Sequence, residues 1–267
     1  MQLIKFIVLS LRFIIESLKN RYLLFKYRIL IRPAKKKVDV IGHVLIVKNL
    51  AYVDISINSV LSFLYYNENS TVIVHCDESC RKRIFEKYSK EIAIGRIEVR
   101  VEMVEPYWQI SKLKIFNSLP DESHCMFDVD TRWNGRIELE SGVSYVSHFE
   151  FEFVNKSPWR WIVAKHLNLN HAESYLMLNT SFIRKGKLLK LNSSYLDEVF
   201  EKIFNIIDCD EIGREDLPGV IRIAEQVAIS IYMQSKDSRI KALVCDGSPK
   251  SGLIFETTYY GATGNRF

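Results

Sequence analysis

Apolar runs alternate with amphipathic segments between residues 43 and 127, and this pattern predicts strands separated by helices. Strands are predicted over residues 43–47, 71–75, 97–104 and 124–127. Helices are predicted over residues 52–66, 79–90 and 107–118. This order is typical of a parallel sheet with helices on both faces, whose ligands bind beyond the carboxyl ends of the strands.

The second half of the chain has a more mixed pattern. Residues 143–154 alternate strongly, which predicts an antiparallel strand or a hairpin. Further strands are predicted over residues 175–184 and 240–244, and helices over residues 195–207 and 219–234. The fold class predicted for the whole chain is therefore α/β, with a mixed sheet flanked by helices.

Before Pro33 the pattern is that of an amphipathic helix. Cations recur every seven residues and form one polar stripe, at Lys5, Arg12, Lys19 and Lys26. Apolar residues recur at spacings of three and four on another face, at Leu3, Ile7, Leu11, Ile14, Leu18, Tyr22 and Phe25. We therefore divide the chain into an arm, residues 1–37, and a body, residues 38–267.

Charge is distributed unevenly between arm and body. The arm carries ten Lys/Arg residues and one acid, Glu16, so its net charge is +9 and the body keeps −4 of the total of +5. A basic amphipathic helix suits an anionic membrane surface, where each cation contributes about 1 kcal/mol. The alternative is a helix that docks onto its own body or onto a second copy, as in a homodimer. Nucleic acid is not expected as a partner, because the acidic body lacks a spread of basic and aromatic residues.

Composition and cysteine usage indicate a cytoplasmic globular protein. Hydrophobic residues make up 48% and charged residues 26%, which excludes a disordered chain and a polytopic membrane protein. The longest uncharged run of the arm, residues 6–11, is too short for a signal core or for a span of about 20 apolar residues. Five cysteines without a CxxC pair predict a reduced setting. We expect a cytoplasmic location, peripheral at the inner face of the membrane.

Two carboxylates, Asp128 and Asp130, directly follow the apolar run 124–127 and form a D-x-D motif. At the end of a buried parallel strand their charge is costly unless a cation neutralises it. Mg²⁺ or Mn²⁺ prefers such oxygen ligands and leaves coordination positions for a diphosphate. The alternative is an ordinary acidic turn. The six histidines show no metal-ligand spacing, and most are predicted to be strand-end or surface residues.

With this motif the chain resembles the GT-A superfamily of nucleotide-sugar glycosyltransferases over roughly residues 43–185. The matching order is HVLIVKN, a helix, TVIVHCD, a helix, a strand, SKLKIFNSLP and HCMFDVD. The resemblance implies a Rossmann-type mixed sheet whose first strands hold the nucleoside. It also implies that the D-x-D motif binds the metal and the diphosphate of the donor.

Carried over by position, the resemblance implies further donor-binding residues. Asn49 and Asp77 would line the nucleoside pocket, although Asp77 could instead cap the helix that begins near residue 79. Lys112 would reach the donor diphosphate, unless it is a solvated lysine on a helix. Asn179 would face the donor sugar and the acceptor, unless it is a turn asparagine.

The catalytic residues implied by the resemblance lie further along the chain. Glu225 is the first candidate for the general base that deprotonates the acceptor hydroxyl, and Asp216 is its rival. Either could merely favour a helix N-terminus. Arg266, in the glycine-rich tail, would help to bind phosphates. Thr258 stands where many D-x-D families have a histidine that ligates the metal, so a third ligand is not implied.

The resemblance thus implies a metal-assisted glycosyltransferase of bacterial surface-polysaccharide biosynthesis. It would move a sugar from a nucleotide-diphosphate donor to a hydroxyl of a glycan or lipid-linked acceptor. One alternative is a sugar-nucleotide nucleotidyltransferase, which usually has a glycine-rich loop after its first strand; residues 48–54 contain no glycine. The other alternative is a non-catalytic scaffold attached to the membrane.

Overall fold

A computed structural model describes most of the chain up to residue 150 and shorter parts beyond it. The described residues are 11, 14, 15, 18, 21–33, 39–103, 107–133, 135–147, 149–150, 177–186, 205, 225–230, 232–234, 239–243 and 254–256. Helix α1 of the arm covers residues 21–30, and residues 11, 14, 15 and 18 are helical as well. The body helices are α2 (Leu50–Tyr66), α3 (Glu78–Lys87), α4 (Ser89–Ala93), α5 (Trp108–Ser118) and α6 (residues 225–230 and 232–234).

Eleven strands are described. The first five are β1 (Ile41–Ile46), β2 (Thr71–Cys76), β3 (Ile97–Val101), β4 (His124–Phe127) and β5 (Thr131–Trp133). The others are β6 (Ser144–Val146), β7 (Phe149–Glu150), β8 (Met177–Leu178), β9 (Phe182–Arg184), β10 (Ile240–Ala242) and β11 (Ile254–Glu256).

Seven strands form one mixed sheet in the order β3-β2-β1-β4-β9-β6-β10. Strands β1 to β4 are parallel to one another, as the alternating pattern predicted. Strand β9 is antiparallel to β4 and to β6, and β6 is parallel to β10. The predicted mixed sheet flanked by helices is confirmed. The segments that follow β1, β2 and β4 therefore meet at one edge, which we call the carboxyl edge.

The helix α2 packs against the sheet because β1 has no side chain at Gly42. A Cβ atom there would lie 2.6 Å from Phe127 Cε1 and 3.1 Å from Phe63 Cε1. These two rings stack with their centroids 4.8 Å apart, and both are buried. Trp133 completes the cluster edge-on to both rings. Glycine at position 42 thus leaves the space in which these aromatic rings pack against β1.

Some predicted boundaries were wrong. The strand predicted over 175–184 is two strands, β8 and β9, separated by a turn at residues 179–181. The strand predicted over 97–104 ends at Val101, and the segment 143–154 divides into β6 and β7 within its described part. The helix predicted over 219–234 is confirmed at its described residues, whereas only residue 205 of the helix over 195–207 is described, and it is helical.

The arm packs on the body through the carboxyl-terminal half of α1. Tyr27 and Ile31 are buried, and the ring of Tyr27 contacts the ring of Tyr65 with centroids 4.8 Å apart. Arg28 Nη2 donates a hydrogen bond to Lys87 O at 3.0 Å. This half of the helix therefore docks onto the body of its own chain, which is one of the alternatives to membrane binding stated above.

Arg96 joins the arm to the body. Its guanidinium is buried and donates hydrogen bonds to four backbone carbonyls: Ser70 O at 2.7 Å, Leu64 O at 2.9 Å, Asn67 O at 3.1 Å and Arg32 O at 2.5 Å. Burial lowers the pKa of Arg96 from its ordinary value, but a guanidinium stays protonated. Because Arg96 directly precedes β3, the arm is anchored at the amino-terminal edge of the sheet, opposite the carboxyl edge.

The outer face of α1 remains exposed. Tyr22 is 66% exposed, Phe25 65% and Leu18 59%. Among the described residues, no helix has the length and apolar character needed to cross a membrane. The exposed apolar side chains form a stripe along the arm, which we define as residues 11, 18, 22, 25 and 29.

Candidate functional site

The D-x-D motif lies at the carboxyl edge directly after β4. Asp128 N donates to Ser181 O at 2.9 Å, and Asp128 O accepts from Ser59 Oγ at 3.0 Å and from Thr131 N at 3.2 Å. The backbone of the motif is therefore held by α2 on one side and by the turn before β9 on the other. The side chains of Asp128 and Asp130 are half-buried.

A buried lysine neutralises the first aspartate. Lys112, from α5, is 2% exposed, and its Nζ lies 2.8 Å from Asp128 Oδ1. The same Nζ lies 3.0 Å from Glu225 Oε1 and donates to Thr180 O at 3.2 Å. We call Lys112, Asp128, Glu225 and Thr180 the ammonium cluster. The alternative of a solvated lysine on a helix surface is thus wrong.

The charges of the cluster determine its protonation. Burial alone would lower the pKa of Lys112, but the charges and hydrogen bonds of Asp128 and Glu225 raise it above its ordinary value. Burial, the larger effect, raises the pKa of Glu225, and Asp128 adds to this rise, while Lys112 and Thr180 oppose it. The two carboxylates therefore favour the charged form of Lys112.

The two carboxylates of the cluster differ in their exposure to solvent. The side chain of Glu225 is 3% exposed and that of Asp128 is 33% exposed. One ammonium cannot neutralise two ionised carboxylates, and Asp128 is the more exposed of the two. A cation at the carboxyl edge would complete the balance.

Mg²⁺ or Mn²⁺ suits the ligands that this edge offers. Within the described ranges, no group of three or more His, Cys, Asp or Glu residues is arranged to hold a metal ion. Asp128 and Asp130 are half-buried carboxylates that follow the same strand. A hard divalent cation is commonly held by one or two carboxylates, with waters and substrate phosphates as the other ligands. The two aspartates therefore fit such an ion.

Asn49 and Asp77 follow the neighbouring strands β1 and β2, and both cap helices. Asn49 Oδ1 accepts from Ala51 N at 2.9 Å at the start of α2. Asp77 Oδ1 accepts from Cys80 N at 3.0 Å at the start of α3, so the capping alternative for Asp77 is present. Both residues lie at the carboxyl edge, and their binding to a nucleoside stays a prediction.

The loop after β1 has an unusual backbone. Lys48 has φ of 63°, in the left-handed region that few residues other than glycine adopt. Its N–H donates to Asp77 Oδ2 at 2.6 Å, which ties the loop after β1 to the loop after β2. Burial would raise the pKa of Asp77, but hydrogen bonds from Ser79, Lys48 and Cys80 hold it below its ordinary value. A carboxylate therefore fixes the strained loop, and no local sequence pattern indicated this contact.

Asn179 forms the turn between β8 and β9. Its Oδ1 accepts hydrogen bonds from Ser181 N at 3.0 Å and from Ser181 Oγ, which is the geometry of a turn asparagine. This turn places Thr180 O where it accepts a hydrogen bond from Lys112 Nζ, and Ser181 O where it accepts one from Asp128 N. Asn179 thus shapes the site through its backbone neighbours, and its contact with a donor sugar stays a prediction.

Two predicted site residues, Asp216 and Arg266, lie outside the described residues, as does the tail around Thr258. The sequence pattern indicated neither the contact of Ser59 with Asp128 nor the pairing of Lys112 with Glu225. No local pattern could reveal that pair, because α5 and α6 are distant in sequence and the contact depends on the turn before β9.

A second polar cluster lies within the sheet. His43 Nδ1 is 2.9 Å from His75 Nε2, and His43 Nε2 is 2.8 Å from His124 Nδ1. His75 Nδ1 is 2.8 Å from Glu102 Oε1. We call these four residues the histidine chain. His43 and His75 are 3% and 4% exposed, so the prediction that most histidines are strand-end or surface residues is wrong for His43.

Comparisons with known proteins gave matches only among solved structures. No family model and no curated protein matches the sequence. The chain is similar to a galactosyltransferase, LgtC, in complex with donor and acceptor sugar analogs, with 12% identity, a TM-score of 0.45 and coverage of 68% of this chain and 70% of that chain. It is also similar to the bifunctional glycosyltransferase WbbM, with 14% identity, a TM-score of 0.44 and coverage of 79% of this chain and 40% of that chain.

Proposed function

We propose that this protein is a glycosyltransferase that moves a sugar from a nucleotide-diphosphate donor to a hydroxyl of a glycan or lipid-linked acceptor. The observation that carries the proposal is the ion pair of 2.8 Å between Lys112 and Asp128 at the carboxyl edge of the parallel strands. It combines a buried cation with the two half-buried carboxylates of a D-x-D motif. This arrangement is suited to a ligand that is itself a metal–diphosphate complex.

Asp128 and Asp130 would hold Mg²⁺ or Mn²⁺ through their carboxylates. When bound, the metal neutralises the diphosphate that leaves the sugar. Lys112 would supply a second, fixed positive charge on the protein side of the same group. Asn49 and Asp77, at the ends of the adjacent strands, are placed where the nucleoside of such a donor would extend along the edge.

Asn179 would face the donor sugar and Arg266 the phosphates, as the resemblance to GT-A enzymes implies. Deprotonation of the acceptor hydroxyl needs a carboxylate that touches the acceptor. Asp216 is retained for that role. Glu225 is buried behind Lys112, which favours another role for it.

The arm would hold the enzyme at an anionic membrane surface on the cytoplasmic side. Its exposed stripe carries Tyr22 and Phe25, and Arg21 lies beside them on the same helix. Aromatic and aliphatic residues flanked by cations are the composition of interfacial helices. Because Tyr27 and Ile31 fix the helix to the body, the stripe would bind in a constant orientation relative to the site.

A thermal-shift screen of nucleotide sugars with Mn²⁺ tests the transferase proposal. A donor at 100 times its Kd adds about 2.7 kcal/mol to the free energy of unfolding. We expect one nucleotide-diphosphate sugar to raise Tm in the wild type and in Asp39→Asn, a control at the opposite edge. The shift is expected to be lost in Asp128→Asn and Asp130→Asn.

Three other outcomes would reject the proposal. A metal-dependent shift that survives both site substitutions would show that the D-x-D motif does not bind the donor. Release of pyrophosphate from a nucleoside triphosphate and a sugar phosphate would identify a nucleotidyltransferase. The absence of any shift across the panel would favour the non-catalytic scaffold.

A further inference from the structure

Strand β3 forms one edge of the seven-stranded sheet, and among the described residues no strand pairs with its outer side. On its inner side, Val72 N donates to Arg96 O at 2.9 Å and Glu102 N donates to Cys76 O at 2.8 Å. Alternate residues of a strand direct their backbone groups to opposite sides, so the even-numbered residues from 96 to 102 bond to β2. Residues 97, 99 and 101 therefore direct their N–H and C=O groups outward, where a further strand can bind them.

The side chains of β3 divide into a charged face and an apolar face. Glu98 and Arg100 are both exposed on one face, and Arg100 Nε lies 2.7 Å from Glu98 Oε1 within the chain. Ile97 and Val99 pack against the core on the other face, where Val101 is 44% exposed. One acid and one base thus stand at equal distances on either side of Val99.

We propose that β3 pairs in antiparallel orientation with β3 of a second copy of this chain, about a two-fold axis at Val99. In this register Glu98 lies opposite Arg100 of the partner subunit, and Arg100 lies opposite Glu98 of the partner subunit. Val99 exchanges both of its backbone hydrogen bonds with Val99 of the partner subunit. The same surface serves both copies, as a closed homodimer requires.

The charges select this register from the ones that the backbone allows. Hydrogen bonds form only where outward-directed residues lie opposite each other, so the axis must pass at residue 98, 99 or 100. An axis at 98 would place two copies of Glu98 opposite each other, and an axis at 100 would do the same with Arg100, which is destabilising. An axis at Val99 instead gives two pairs of opposite charge, at positions where facing side chains are closest.

A second copy is therefore the partner that this edge fits, because one strand supplies both halves of the complementary charge pattern. The register also covers exposed apolar side chains. Val101 lies opposite Ile97 of the partner subunit. Met103, which is 98% exposed, lies opposite Gly95 of the partner subunit; a Cβ atom built at Gly95 has no other atom within 4 Å. Strands β2 and β1 separate β3 from β4, so the D-x-D motif stays outside the interface.

Sedimentation velocity over about 1–500 μM protein tests the pairing, because an interface of this small size gives weak dimers. Wild type is expected to form a dimer, and so is the control Glu138→Lys, which reverses a charge at an exposed residue outside β3. Glu98→Lys and Arg100→Glu each replace both opposite-charge pairs by like-charge pairs. Each is expected to raise the Kd of the dimer by about tenfold or more.

A mixture of the two variants gives the sharpest measurement. In a dimer of one Glu98→Lys chain and one Arg100→Glu chain, every charge at positions 98 and 100 again faces the opposite charge. The equimolar mixture is therefore expected to associate at least about tenfold more tightly than either variant alone. Changes in the fold of a single chain cannot produce this recovery.

Amide hydrogen exchange of the wild type adds a measurement that needs no variant. Exchange at Val99 and Val101 is expected to slow as protein concentration rises, because the dimer binds their outward N–H groups.

A wild type that stays monomeric over the whole concentration range would overturn the proposal. It would also be overturned by a dimer that persists in both charge variants, or by variants that do not associate when mixed. A dimer that persists in them and dissociates on substitution of the exposed stripe of α1 would assign the contact to the arm. No measurement uses a sugar donor, so the outcome is independent of the proposed transferase function.

Discussion

Lys112 Nζ lies 2.8 Å from Asp128 Oδ1, and 2% of the lysine is exposed. The first carboxylate of the D-x-D motif is therefore paired within the protein before any ligand arrives. A buried ion pair contributes little net stability compared with apolar residues, but removal of one partner leaves the other buried and unpaired. Loss of either charge of the pair is therefore expected to destabilise the folded protein.

Lys112→Met is expected to destabilise the protein by about 3–5 kcal/mol, because Glu225 would then be buried without a counter-ion. Urea unfolding followed by circular dichroism measures this change. Lys114→Met, on the exposed side of the same helix, is the matched control and is expected to cost less than about 0.5 kcal/mol. Equal stabilities for the two variants would contradict the described pairing.

Gly42→Ala is expected to destabilise the protein by about 1–3 kcal/mol through overpacking. The new Cβ would lie 2.6 Å from Phe127 Cε1, and the ring cannot move away because it is buried against Phe63. The same urea experiment measures the effect. Phe127→Leu in the Gly42→Ala background makes room, so the double variant is expected to lose less than the sum of the single losses.

The sequence predicted the parallel half of the fold because its signals are local. The apolar runs at 71–75 and 124–127 lie within observed strands, and a D-x-D motif that directly follows β4 must lie at the carboxyl edge. The turn at Asn179 was harder to predict, since apolar residues lie on both sides of the polar residues 179–181 and together resemble one continuous strand.

The contacts inside the site could not be predicted in the same way. Lys112 and Glu225 each have a pattern typical of an amphipathic helix, and their pairing depends on how two distant helices pack. The histidine chain is hidden for a related reason. In the sheet His43 is aligned with Ile73, and Ile41 is aligned with His124. Each neighbouring histidine is therefore offset from His43 by two residues along its strand, and this register brings the three rings into contact.

The histidine chain is expected to make stability depend on pH. Burial, with the charges of His75 and His124, lowers the pKa of His43 to about 3. The pKa values of His75 and His124 are lowered too, chiefly by burial. The charged groups that act on the three rings are Glu98, Arg100, Glu102, Asp121 and Lys185. The Glu102 carboxylate can only accept a hydrogen bond, so His75 Nδ1 donates to it. With neutral rings, His43 Nδ1 then donates to His75 Nε2, and His124 Nδ1 donates to His43 Nε2.

The sign follows from the depressed pKa values. Below pH 6.5 the unfolded histidines bind protons that the folded ones do not, so stability is complete above this pH and falls as pH decreases toward 3. His43→Gln removes one such group, and each group changes the free energy of unfolding by up to about 1.4 kcal/mol per pH unit. We expect urea unfolding between pH 5 and 6.5 to show a smaller slope for His43→Gln than for wild type. Identical slopes would show that His43 is protonated equally in both states.

The membrane prediction is best tested on the exposed stripe of the arm. Deletion of residues 1–37 would also remove Tyr27, Ile31 and the Arg32 carbonyl that Arg96 binds, so it would disturb the body. Tyr22→Glu with Phe25→Glu changes only exposed side chains. We expect this double variant to lose co-sedimentation with vesicles containing anionic lipid, because a carboxylate on the stripe resists burial in the interface and repels the lipid charge.

The control for the stripe is Phe85→Glu, which introduces a carboxylate at an exposed aromatic residue of α3, outside the stripe. Its co-sedimentation and the Tm of all variants are expected to equal those of wild type. Binding should weaken as salt rises, because exposed charges are screened over about 10 Å at 0.1 M ionic strength. Equal pelleting of wild type and the stripe variant would contradict membrane binding. A concentration-dependent dimer that the stripe substitutions dissociate would instead assign the stripe to a second copy of the chain.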